Sequence, residues 1–409
     1  MIRSRLAAAL LVAPLTLAAV ACSSDGSEGG SAATTTAAPS GEAWTGAEPN
    51  TEPMSEEAAA LVDGALAAGM AETGGQAPAV WLGVWDPDEG MYLAAAGEAT
   101  TPDVAATADD HFRIGSITKT ATAAAILAAV DDGDLSLDDT IADLLPDLAA
   151  EHAEIADITL EQLLGMTSGI PDYANTPTVL PRVVEDPTAP WSPEDIIDLA
   201  LEEQPLAEPG TPGYSTTNYL ILGEVLDELN GEPVEDQLTA IVEAAGASSS
   251  GFTPDDDETL PEPGSSGYVN EPGATALAES GATVEPGTDV SDWTTTWGGA
   301  GGGMYSTLAD LGAWAASGFG TDQLSAELGE QRLSSTKDLP EVLGYGLGIA
   351  NFGDGWIGHA GQIVGWESLA LYNVETGAVL VGATNETGSL TAVVEAMVIV
   401  DPELATVLS

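Results

Sequence analysis

Ser116 and Lys119 stand three positions apart in the stretch Gly-Ser-Ile-Thr-Lys, at the start of an alanine-rich run. A serine hydroxyl is a weak nucleophile until a neighbouring base takes its proton. Three residues along a helix is nearly one turn, so hydroxyl and amine would share a face. Ser116 at a helix N-terminus would also aim its own N–H at an oxyanion forming on a bound carbonyl. Lys119 can serve as base only where burial or a second cation lowers its pKa. Ser334 and Lys337 repeat the spacing, but that lysine runs into Asp338 and Pro340 with no helix behind it. It reads as a solvated surface charge. Behind Lys119 follows Thr-Ala-Thr-Ala-Ala-Ala-Ile-Leu, almost wholly apolar, which predicts burial.

The elements that must hold this pair follow from patterning. The chain has 409 residues, 44% of them hydrophobic, enough for a sizeable core. Helical spacing covers 55–70, and 76–96 reads as two strands around Asp-Pro-Asp-Glu-Gly. A helix starts near Ser116. From about 131 to 300 the pattern is helical and loop-rich, and the C-terminal part returns to strands before a closing helix near 390–400. Strands, then helices, then strands predict an α/β sheet domain over 55–409 with an all-helical lobe inserted at about 131–300.

Seven Lys plus Arg oppose 66 Asp plus Glu, a net charge of −59. That argues strongly against binding to nucleic acid or to an anionic membrane face. His111 and His152 lie in polar contexts and read as surface residues; with His359 they match no zinc spacing, so no metal or cofactor is expected. Cys22 is the only cysteine, which excludes an intramolecular disulfide. Arg3 and Arg5 precede an apolar run over 6–21 whose small residues lead directly to Cys22. This resembles a bacterial lipoprotein signal. It predicts a signal peptide at 1–21, lipidation of Cys22, and an exported chain at the outer face of the cell membrane or secreted. Residues 22–54, rich in Gly, Ser, Thr, Ala and Pro, read as a flexible tether.

Five ordered stretches carry a family resemblance: FRIGSITKTATAAAIL (112–127), TLEQLLGMTSGIPDY (159–173), YSTTNYLILGEVLDELNG (214–231), GGGMYSTLADLGAWA (301–315) and GHAGQIVGW (358–366). The chain resembles the serine β-lactamase and penicillin-binding superfamily, nearest the class C β-lactamases, D-alanyl-D-alanine carboxypeptidases and related esterases. The resemblance implies a mainly antiparallel sheet flanked by helices. It also implies that Ser116 is acylated and that Lys119 is its partner base.

The family's second motif is Tyr-x-Asn. Tyr173-Ala-Asn175 and Tyr268-Val-Asn270 match literally but lack the helix that accompanies it. Tyr214-Ser-Thr216 has that helix, with Thr216 in the asparagine position and Asn218 belonging to the helix start. The Tyr214 phenol is expected to shuttle protons. Thr216 keeps a hydroxyl but loses the amide's two donors. The third motif, a cation-x-Gly strand, matches His359-Ala-Gly361, where His359 would supply a hydrogen bond or a pH-dependent positive charge. Gly361 lets a substrate backbone approach the strand, and the Gln362 N–H is implied as the second oxyanion donor. Arg113 reads as the partner of a carboxylate.

These features predict an exported serine hydrolase acting through an acyl-enzyme, foremost D-alanyl-D-alanine carboxypeptidase-like, on a small-molecule, peptide or ester substrate. A β-lactamase or carboxylesterase of the same family uses the same acylation. A non-catalytic ligand- or partner-binding descendant is the reading from a different class, with Thr216 marking lost chemistry. Membrane contact is expected only through the N-terminal lipid.

Overall fold

A computed structural model describes residues 49–401, apart from 73–77, 255–256, 335–336 and 340–341. The expected signal, Cys22 and most of the expected tether lie outside the described residues. The last stretch of that expected tether is paired: Met54 N–H donates to Met91 O, and Met91 N–H donates to Glu52 O.

The described chain opens with helix α1 (Glu56–Glu72), then strands β1 (Ala79–Asp86), β2 (Gly90–Thr100) and β3 (Val104–Ala105). Helix α2 (Thr118–Asp132) follows a single 3-10 turn at Gly115–Ile117. Short helices and loops lead to α3 (Thr217–Asn230), α4 (Gly299–Gly302) and α5 (Leu308–Ala316). The chain returns as β4 (Lys337–Leu339), β5 (Val342–Tyr345), β6 (Ala350–Gly353), β7 (Trp356–Ile363), β8 (Trp366–Asn373) and β9 (Val379–Thr384), and ends in α6 (Leu390–Val400).

These nine strands form one sheet in the order β3-β2-β1-β9-β8-β7-β6-β5-β4, antiparallel throughout. The first and last thirds of the chain meet at its centre, where Val80 stands opposite Thr384 and Trp85 opposite Val379. Strands β8 and β9 are buried along their whole length, so their sequences are apolar runs rather than alternations. Helices α1 and α6 pack together on one face. Helix α5 packs on the other, so close that a Cβ at Gly312 would stand 2.1 Å from the Trp85 ring. No helix among the described residues is long and apolar enough to cross a membrane.

Candidate functional site

The site forms where β7 loses its outer neighbour. Strand β6 pairs with β7 only over Trp356–Gly358. Beyond Gly358 that edge is covered by the Gly115–Ile117 turn instead. Two glycines make the approach possible. Gly115 has φ +49, and a Cβ there would stand 2.5 Å from Gln362 N. A Cβ on Gly361 would lie 1.8 Å from Ile114 O. Only glycine satisfies both the left-handed backbone at 115 and the backbone contact at 361. Ser368 Oγ, on β8, donates to Ile114 O at 3.0 Å and fixes the turn from below.

Ser116 lies in the 3-10 turn just before α2, which starts two residues later at Thr118, whereas the sequence predicts a helix starting near Ser116. It is the only residue of 111–124 that is not buried. Its hydroxyl is therefore presented to the cleft from an otherwise closed segment. Lys119 is fully buried on the first turn of α2. Its Nζ stands 2.9 Å from Ser116 Oγ and donates to Gly301 O, on α4, at 2.8 Å. Nζ also lies 5.2 Å from the centroid of the Tyr214 ring and 5.6 Å from that of Tyr219. Burial pulls the amine down to about 7, against the opposing pull of the Asp172 charge.

Asp172, in the 159–173 stretch, is a site residue that the sequence motifs do not single out. It is buried, and its Oδ1 accepts the Thr216 N–H at 2.9 Å. Burial pushes the carboxyl up, while the Thr216 N–H and the Thr216 hydroxyl, both bonded to it, favour the charged form. Thr216 is thus directed at an internal carboxylate. Asn218 sits inside α3, where its amide bonds Leu163 O and accepts from Ser168 Oγ. Tyr173 donates to Trp297 O at 2.7 Å and takes no place beside Lys119.

On the opposite wall, His359 projects from β7 and is 5% exposed. Its Nε2 lies 3.0 Å from the Tyr345 hydroxyl, and its Nδ1 contacts Ala360 O. Rings of Tyr214, Tyr345 and His359 pack together, with centroid separations of 6.2, 6.3 and 5.7 Å. Burial first, then the neighbouring Lys119 charge, push the imidazole down to about 3. This environment favours the neutral imidazole, so of the two expected roles the hydrogen bond is the one the geometry displays. Gln362 belongs to the same strand. Its side chain donates to Glu367 Oε1 at 2.7 Å, and Glu367 Oε2 accepts the Ser389 N–H at the start of α6.

Other expectations resolve away from this cleft. Arg113 pairs with Glu258 at 2.7 Å and bonds Thr295 Oγ1 at 2.8 Å, the carboxylate partnership predicted for it. His111 is buried, with Nδ1 3.0 Å from Pro263 O, so its polar sequence context misleads. His152 meets Asp198 at 2.9 Å on the helical side.

The Beta-lactamase family model matches residues 59–401. Penicillin-binding protein 4 of Amycolatopsis lactamdurans is 33% identical over 144 residues, 33% of this chain and 34% of that protein. The chain thus spans about a third of the length of the curated relative it matches. Solved structures align far more completely. A D-stereospecific amidohydrolase from Streptomyces sp. gives a TM-score of 0.70 at 27% identity, covering 83% of this chain and 98% of that one. A D-amino acid amidase from Ochrobactrum anthropi SV3, at 24% identity, shares the fold with a TM-score of 0.70 over 87% of this chain and 100% of its own. The chain belongs to the Beta-lactamase family.

Proposed function

We propose that Ser116 is the acylated nucleophile and that the natural substrates are amides whose acyl part is a D-residue. The observation that carries the reading is the buried Lys119 amine, 2.9 Å from the accessible Ser116 hydroxyl. A neutral amine has two hydrogens and one lone pair. The Gly301 carbonyl only accepts, so it holds a hydrogen of Nζ and leaves the lone pair for the serine proton. Ser116 Oγ then attacks the carbonyl as its proton passes to Lys119. The N–H groups of Ser116 and Gln362 hold the oxyanion. The amide C–N bond breaks, and the leaving amine takes the proton through Tyr214, whose ring stands beside Nζ. Water then hydrolyses the ester by the same route.

D-Residue chemistry is the common ground of the expected D-alanyl-D-alanine carboxypeptidase and the D-stereospecific amidohydrolase likeness. β-Lactams and activated esters would enter by the same acylation. Location outside the membrane through a lipid on Cys22 is part of the proposal, and a Cys22→Ser variant that still takes up labelled palmitate would refute it. A fluorescent penicillin or a fluorophosphonate tests the core of the reading. Wild type should label and Ser116→Ala should not. Labelling that survives Ser116→Ala removes the site assignment, and folded wild type inert to both probes removes the acyl-enzyme reading.

A further inference from the structure

The geometry points to Tyr345 and His359 as an uncharged, hydrogen-bond-saturated wall that selects amides whose leaving side carries no carboxylate. This rests on the reading of Ser116 as the acylated residue and adds the chemistry of the leaving group. Ala360 O can only accept, so the hydrogen of a neutral His359 ring sits on Nδ1. Nε2 is then a lone pair, and at 3.0 Å it takes the Tyr345 hydroxyl hydrogen. Both ring nitrogens are used inside the protein, so His359 has no N–H to offer a substrate. Tyr345 is 1% exposed and edge-on to the imidazole. Burial of the ring against Tyr214 and Tyr345, beside Lys119, disfavours an imidazolium.

Among the described residues, buried Arg113 and Arg332 supply no substitute cation, and Lys119 serves as base only in its neutral form. Arg113 is held by Glu258. Arg332 gives its N–H groups to Leu347 O, Phe319 O, Thr321 Oγ1 and Thr120 O. A free carboxylate would lose water against this wall without gaining a partner, and the net charge of −59 opposes its approach. A carboxamide or an ester carries neither penalty.

The test uses two substrates with one acyl part, N-acetyl-D-alanyl-D-alanine and its C-terminal carboxamide, and the full chain. Wild type should show kcat/KM at least about tenfold higher for the carboxamide, and His359→Lys should narrow that ratio to about threefold or less. Independently, nitrogen NMR of the histidines at about pH 5.5 should show His359 as the neutral Nδ1–H form, with its Nε2 signal moved by Tyr345→Phe. Equal or better turnover of the free carboxylate by wild type overturns the wall, as does an imidazolium at that pH. The NMR signature does not depend on turnover. Loss of probe labelling therefore strikes the acyl-enzyme reading alone.

Discussion

Lys119 ties stability to catalysis, and Lys119→Met separates the two. In the unfolded chain the amine has the ordinary lysine value of 10.5, and in the folded chain burial brings it to about 7. Between those values the unfolded chain binds a proton that the folded chain lacks, so stability rises with pH across this window. Folding at about pH 6 carries the full penalty, roughly 5 kcal/mol, and at about pH 9 it falls to roughly 2 kcal/mol. Lys119→Met keeps the length of the side chain and removes the titration. It forfeits the contacts to Ser116 and Gly301. That loss offsets part of the gain but depends little on pH. Equilibrium urea unfolding should show the variant's advantage over wild type shrinking by about 3 kcal/mol from pH 6 to pH 9. The same value must appear in the kinetics. A base works only when neutral, so wild-type kcat/KM should fall about tenfold per pH unit below a midpoint near 7. A stability gap that stays constant with pH, or a kinetic midpoint above about 9, would refute the assignment of Lys119 as a desolvated base.

Three further outcomes follow from the same geometry. Asp172→Asn removes the carboxylate that holds the Lys119 value up, so the kinetic midpoint should move acidward; an unchanged or alkaline-shifted profile would contradict it. Gly361→Ala puts a methyl 1.8 Å from Ile114 O, so β7 and the Ser116 turn must part. At least about a tenfold loss of kcat/KM with about 1–3 kcal/mol of destabilisation is expected, and unimpaired activity would count against the close packing. His359, neutral when folded with a value of about 3 against 6.5 unfolded, makes stability fall as pH drops below 6.5. The loss reaches roughly 3 kcal/mol at about pH 4. His359→Gln should flatten that acid limb in urea titrations, and a parallel limb in both proteins would disprove it.

The sequence made the short-range parts of this site legible. Ser116 and Lys119 are neighbours on one turn, and the apolar run behind them foretold the burial of α2. The strand-helix-strand order pointed to a sheet domain, and the family resemblance implied its mainly antiparallel character. Long-range partners were not legible. Asp172 is an ordinary acidic residue in a chain with 66 of them, and only the fold carries it to Thr216. Tyr345 lies 14 residues before His359, and nothing in either local context announces their bond. His111 failed for the converse reason: polar neighbours in sequence say little when the contact that covers the ring, Pro263, is 152 residues away.

The meeting of β1 with β9 at the centre of the sheet sets an order of assembly. Ala79 N–H donates to the Asn385 side chain, 306 residues further along the chain. Gln362 and Gly361 likewise follow Ser116 by most of the domain. A chain made from its N-terminus cannot close the sheet, or lay β7 against the Ser116 turn, until nearly all of it is available. Until then Ser116 and Lys119 are one turn of an unsupported helix, with no wall opposite and no burial to lower the amine. Hydrolytic competence is thus a property of the finished chain, and incomplete products carry the serine without the power to use it.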